Sequence, residues 1–240
     1  MNKEDFNKEI IGKLSKINVK INENEIENLY DYTEKLLEWN TYMNLTAITD
    51  IDEIILKHYT DSLTINKYIE EGMQVIDIGT GAGFPGIPLK IMNKNNNFIL
   101  VDSLNKRIKF LEEVKNTLNL KNIELIHSRV EDLARNSKYR EKNDIVVSRA
   151  VANLSTLLEY MLPFIKENGL CICMKGPNIE QELEESKKAL EILGGKIEKI
   201  ENIILPNSDI ERNIILVRKI KSTPSKYPRK AGIPAKQPIK

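Results

Sequence analysis

The chain has 240 residues, 41% of them hydrophobic and 30% charged, with a formal net charge of +1. That size and mixture predict one soluble, globular domain with attachments, large enough to bury a core without disulfide staples. No stretch reaches the roughly 18 consecutive apolar residues of a membrane span. The opening MNKEDFNKEIIGKL mixes acids and bases and has no apolar signal core, so a cytoplasmic chain with no membrane partner is expected. The small net charge is unevenly spread. Residues 218–240 hold eight of the 36 bases and no acid, which leaves 28 bases against 35 acids in the rest. An acidic body with a basic end points either to a polyanionic partner met by that end or to a solvated, disordered tail.

Apolar residues at helical spacing predict a helix over 4–17 (Phe6, Ile10, Ile11, Leu14, Ile17), a second over 24–40 and a third over about 51–69. From residue 73 the pattern changes to short runs rich in β-branched residues: MQVIDIG, FILVD, IELIHS, DIVVSR and LCICMKG. Such runs read as strands buried on both faces. Helical stretches near 86–92, 105–119, 153–163 and 178–193 separate them, so the fold class is α/β, a doubly wound, mainly parallel sheet. KIEKIENIIL and RNIILVRK flank the turn PNSD and predict an antiparallel hairpin closing the sheet. The prolines of KSTPSKYPRKAGIPAKQPIK predict no regular element. The expected divisions are a helical extension over 1–70, a core over 71–220 and a basic tail over 221–240. Cys171 and Cys173 alternate on a strand and read as buried thiols, and His58 and His127 lie far apart, so no metal site is expected.

The strand VIDIG runs into TGAGFPGIPL, which places Gly79, Gly81, Gly83 and Gly86 where the first strand turns into a helix. In an open α/β sheet that turn borders the ligand crevice, and glycine lets a ligand approach the backbone. Gly81, Gly83 and Gly86 also satisfy the dinucleotide spacing, a weak signal alone. Asp77, two residues before Gly79, suits a ligand with an ammonium group and would repel a pyrophosphate, which favours a methyl donor over a dinucleotide. Asp102 ends the second strand, where a carboxylate can accept from ribose hydroxyls of either ligand. Arg149 and Lys175 follow the fourth and fifth strands and are positioning candidates at the crevice. No catalytic residue stands out. Lys106 and Arg107 oppose the dipole of their helix, which points to RNA or to solvent. His58 and Asp61, three apart on one helix, line the cleft or pair with each other.

The segments WNTYMNLT (39–46), HYTDSL (58–63), DIGTGAGFPGIPL (77–89), VDSLNKRIKFL (101–111), SRVED (128–132), SRAVA (148–152) and the terminal YPRKAGIPAKQP occur in order along nearly the whole chain. In these the chain resembles the bacterial 16S rRNA guanine-N7 methyltransferase G family, also called glucose-inhibited division protein B. The glycine loop is shared by many methyltransferases, whereas the extended loop together with the terminal motif is far more specific. The resemblance implies a Rossmann-like class I methyltransferase core, S-adenosylmethionine as cofactor, and 16S rRNA or a small-subunit assembly intermediate as partner. It further implies that Gly79 and Phe84 line the donor site, that Val130 and Glu131 meet the adenine, and that Arg149 completes the pocket. With Gly81, Gly83 and Asp102 these make the expected cofactor site. Arg107, Lys175, Lys226, Arg229, Lys230 and Lys236 are the expected RNA contacts. A monomer is expected. The competing readings are a methyltransferase of small molecules or proteins, an NAD-dependent oxidoreductase and a non-catalytic RNA-binding module.

Overall fold

The structure is a computed structural model that describes residues 1–149 and 152–240. Two residues of the SRAVA segment, 150 and 151, lie outside the described ones. Helix α1 (Lys3–Lys16) starts where the Asn2 side chain accepts from the Asp5 N–H. Helix α2 (Glu23–Met43) starts at a reciprocal cap, Asn22 with Glu25, which satisfies two otherwise orphaned N–H groups. The third helix is not continuous to residue 69. Asp50 caps α3 (Ile51–Ile54), which opens into a π-helical turn (Ile55–Thr60), continues as α4 (Asp61–Leu63) and then stops. A single 3₁₀ turn, Asn66–Tyr68, follows. His58, Tyr59, Thr60 and Asp61 are all buried, whereas Asp52 and Glu53 are exposed.

The sheet contains β1 (Gln74–Ile78), β2 (Asn97–Asp102), β3 (Ile123–His127), β4 (Asn143–Arg149), β5 (Ile165–Lys175), β6 (Gly195–Ile204) and β7 (Glu211–Lys219). Its order is β3-β2-β1-β4-β5-β7-β6, with β1 to β5 parallel and β7 antiparallel to both its neighbours. Helices α5 (Gly86–Met92), α6 (Asn105–Thr117), α7 (Val130–Leu133), α8 (Leu154–Met161) and α9 (Glu180–Leu193) make the crossovers. Strand order reverses at β1 and β4, so the crevice expected of such a sheet lies beyond their carboxyl ends.

The alternation of side chains along the strands divides the core in two. Val75, Leu100, Val147, Ile172 and Leu216 pack with α1, α2, α5 and α6 on one face. Ile76, Val101, Val146, Cys171, Cys173 and Val217 pack with α8 and α9 on the other. The amino-terminal helices therefore share one cluster with the sheet, and both cysteines lie in the opposite cluster.

The tail is not a solvated, disordered end. It folds back onto the second face, where Tyr227 and Ile239 join the core. It contains one short helix, α10 (Ile233–Lys236), which the prolines had argued against. Pro234 sits in its first turn, where its missing N–H is not needed.

Candidate active site

The loop after β1 is organised by Asp77, which is fully buried beneath it. Its Oδ2 accepts from the Thr80 hydroxyl (2.6 Å) and the Gly86 N–H (2.9 Å). Burial pushes the Asp77 carboxyl up to about 7. Asp77 thus braces the loop from below through Oδ2, while its Oδ1 is buried with no hydrogen-bond partner among the described residues. Gly83 is also turned inward. A Cβ there would fall 2.6 Å from Ile87 and 2.7 Å from the Tyr32 hydroxyl, so this glycine allows close packing of the loop on α2. Gly81 is the reverse. Its φ is +63° and a Cβ would meet nothing within 4 Å, because it would project into open space.

That space is a cavity of about 750 Å³ at the carboxyl ends of β1, β2 and β4. Gly79, Gly81, Phe84, Asp102, Val130, Glu131 and Arg149 line it, and of the expected cofactor residues only Gly83 does not. Asp102 ends β2 with its Oδ1 accepting from Leu104 N–H (2.8 Å) and its Oδ2 from Gly81 N–H (2.9 Å). Arg107 Nη1 also lies 3.2 Å from Oδ2. The cation opposing the α6 dipole is therefore held by Asp102, and Lys106 donates to the Met43 carbonyl at 3.0 Å. Arg107 still borders the cavity.

The opposite wall comes from the amino-terminal helices. His58 lies flat on Phe84, with ring centroids 4.2 Å apart and planes 10° from parallel. Its Nδ1 is 3.2 Å from Arg149 Nη2, and its Nε2 is 2.9 Å from Thr46 Oγ1. A guanidinium can only donate, so Nδ1 accepts and the ring proton sits on Nε2. Burial and the charge of Arg149 hold the imidazole far below its ordinary value, at about 3. Arg149 also donates to the Lys57 carbonyl (3.0 Å) and to Asp61 Oδ2 (3.3 Å), and its guanidinium lies 5.2 Å from the Phe84 ring centre. Asp61 meets a second cation, Arg212 Nε, at 3.2 Å. His58 and Asp61 thus do not pair with each other; both converge on Arg149. Arg212, at the start of β7, gave no local signal in sequence because its partner is 151 residues away.

Two expected RNA contacts are otherwise engaged. Lys175 is 9% exposed and is held by Glu182 (2.7 Å) and the Ala152 carbonyl (2.8 Å), away from the cavity. Arg229 forms a fork on the fully buried Glu159, with Nη2 to Oε2 at 2.6 Å and Nε to Oε1 at 3.0 Å. Lys226, Lys230 and Lys236 are exposed and make no ion pair among the described residues. Arg129 and Tyr160 line the cavity and were not singled out in the sequence; the Arg129 side chain is exposed and makes no ion pair among the described residues. No group of His, Cys, Asp and Glu that could hold a metal occurs among them, nor a helix long and apolar enough to cross a membrane.

The fold is shared with solved structures of one class. A SAM dependent methyltransferase from Aquifex aeolicus matches with a TM-score of 0.52 at 19% identity, over 70% of this chain and 94% of that one. TYW2 of M. jannaschii, in complex with AdoMet, matches with a TM-score of 0.52 at 19% identity, over 67% and 77%. The fold is thus that of the Rossmann-like methyltransferases. The sequence model of the family rRNA small subunit methyltransferase G matches residues 25–214. A relative of that description from Acetivibrio thermocellus is 52% identical over 96% of this chain and 95% of its own length. Another from Lactobacillus acidophilus is 46% identical over the whole of both chains. The chain belongs to the rRNA small subunit methyltransferase G family.

Proposed function

We propose that this protein transfers the methyl group of S-adenosylmethionine to N7 of a guanosine in 16S rRNA. One observation carries the reading: in a member of this family, the glycine loop, the β2-end carboxylate and the α7 start wall a single cavity at the sheet's switch point. The residues fit the donor, since the backbone at Gly81 faces open space and two carboxylates, Asp102 and Glu131, border it. Gly79, Gly81 and Phe84 would form the floor, Asp102 would accept from ribose hydroxyls, and Val130 and Glu131 would meet the adenine edge. Arg149 would reach the donor's carboxylate with donors not used by Lys57, Asp61 and His58.

S-adenosylmethionine supplies a methyl group on a sulfonium that is already a strong electrophile. Guanine N7 has a lone pair and no proton, so its attack requires no general base. His58 is not poised as one: it is neutral and both ring nitrogens are engaged. The chain's contribution is placement and exclusion of water. Arg107, Arg129 and the tail residues Lys226, Lys230 and Lys236 would hold RNA phosphate. The reading includes a cytoplasmic monomer. Incubation with labelled donor and 16S rRNA from cells lacking the enzyme, beside a metabolite extract and a protein fraction, tests it. Label is expected in the RNA; label in metabolites or protein instead would support the small-molecule or protein methyltransferase.

A further inference from the structure

The tail is fastened along one wall of the donor cavity. Arg229 grips Glu159 on α8 with its guanidinium, and its backbone N–H donates to the same carboxylate at 2.7 Å. Arg135 donates to the Pro228 carbonyl at 2.6 Å, and Arg140 to the Tyr227 and Thr223 carbonyls at 2.9 and 2.8 Å. Thr156 of α8 donates to the Pro234 carbonyl at 3.1 Å. The strap so formed joins α8 to the segment after α7. Between these fastenings lies Gly232, with a φ of +81°. Its N–H donates to Glu131 Oε1 at 2.9 Å. Glu131 is 7% exposed and lines the cavity, as does Tyr160 from α8. A buried carboxylate that loses a hydrogen-bond donor is left with uncompensated desolvation, which favours another placement of the group.

We infer that the carboxyl-terminal strap, through the Arg229–Glu159 fork and the Gly232–Glu131 hydrogen bond, positions Glu131 and so sets the affinity for the adenosine end of the methyl donor. The inference rests on the donor reading above. It makes Arg229 and Gly232 positioning residues, because neither lines the cavity. It also gives the basic end a role besides contact with a polyanionic partner.

Calorimetry with S-adenosylmethionine and with adenosine, on the full chain, tests it. Failure of the wild-type protein to bind S-adenosylmethionine would overturn the donor reading itself. Given wild-type binding, Arg229→Ala should weaken both ligands by a similar factor, about tenfold, the size of one hydrogen bond to a charged group. Adding Arg229→Ala to Glu131→Ala should cause little further loss, since both changes act through one carboxylate. A purely structural tail would give additive losses. Should Arg229→Ala not fold, Gly232→Ala serves, because its added methyl meets nothing within 4 Å and disturbs only the left-handed backbone. Donor and adenosine affinities within about twofold of wild type in a folded variant, or additive losses in the double variant, would overturn the inference.

Discussion

Arg149 is where the charged groups of the cavity converge, and its removal separates their roles. In Arg149→Ala the fold should hold, because Asp61 keeps its ion pair with Arg212. Methyl transfer at limiting donor should fall by about 1.5–3 kcal/mol of binding, the worth of one charge-assisted hydrogen bond. Unchanged activity would show that the guanidinium serves only Asp61 and His58. At Gly81 a β-branched side chain would oppose the positive φ and enter the cavity. Gly81→Val should abolish donor binding in calorimetry while near-native circular dichroism persists. The His58 ring should remain neutral, with its proton on Nε2, from pH 8 down to about pH 4 in ¹⁵N spectra. Below the unfolded value of 6.5 the unfolded chain takes up a proton that the folded one refuses down to about 3. The contribution of His58 is thus fully present above 6.5 and is lost as pH falls through that window. A His58 titration near 6.5 would show that the ring is neither buried nor held beside Arg149.

The elements meet most tightly where the glycine loop packs on α2. Gly83→Ala would drive a methyl group against Ile87, Tyr32 and Leu111 at a φ of +102°. It should destabilise the protein by about 1–3 kcal/mol, read as a lower urea midpoint. An unchanged midpoint would mean that the loop is free to lift off α2. This packing explains what could be read in advance. The βα alternation, the hairpin and the loop's place after β1 were legible because each is written in local periodicity and glycine spacing. The division of labour within the loop was not. Gly79, Gly81 and Gly83 look alike in sequence, and only the packing of α2 turns Gly83 inward while Gly81 faces the cavity. The π-helical turn at Ile55–Thr60 was equally hidden, since its apolar pattern is that of an ordinary helix.

Across the whole molecule, the basic tail was the feature that composition described least well. Its charge pointed to a polyanionic partner or a solvated tail, but Arg218, Lys219, Arg229 and Lys240 are paired with Glu198, Glu141, Glu159 and Glu185. Each of those partners lies at least 20 residues away in sequence, which a count of charges cannot show. The exposed Lys226, Lys230 and Lys236 are the tail cations proposed to meet RNA. Replacing Lys230 and Lys236 with Ala should lower the salt slope of RNA binding by about 0.7–0.9 for each phosphate that is no longer neutralised. Melting temperature and donor affinity should stay unchanged, and a constant salt slope would place the RNA elsewhere. The central proposal is methylation of guanine N7 in 16S rRNA, at a cavity that would place the donor and need no base. Mass spectrometry of nuclease digests of 16S rRNA, from a deletion strain before and after incubation with the purified protein and S-adenosylmethionine, tests it most directly. One new 7-methylguanosine is expected, absent without protein and absent with Gly81→Val. Methylation at another atom or another base, or no gain of a methyl group in 16S rRNA, would contradict it.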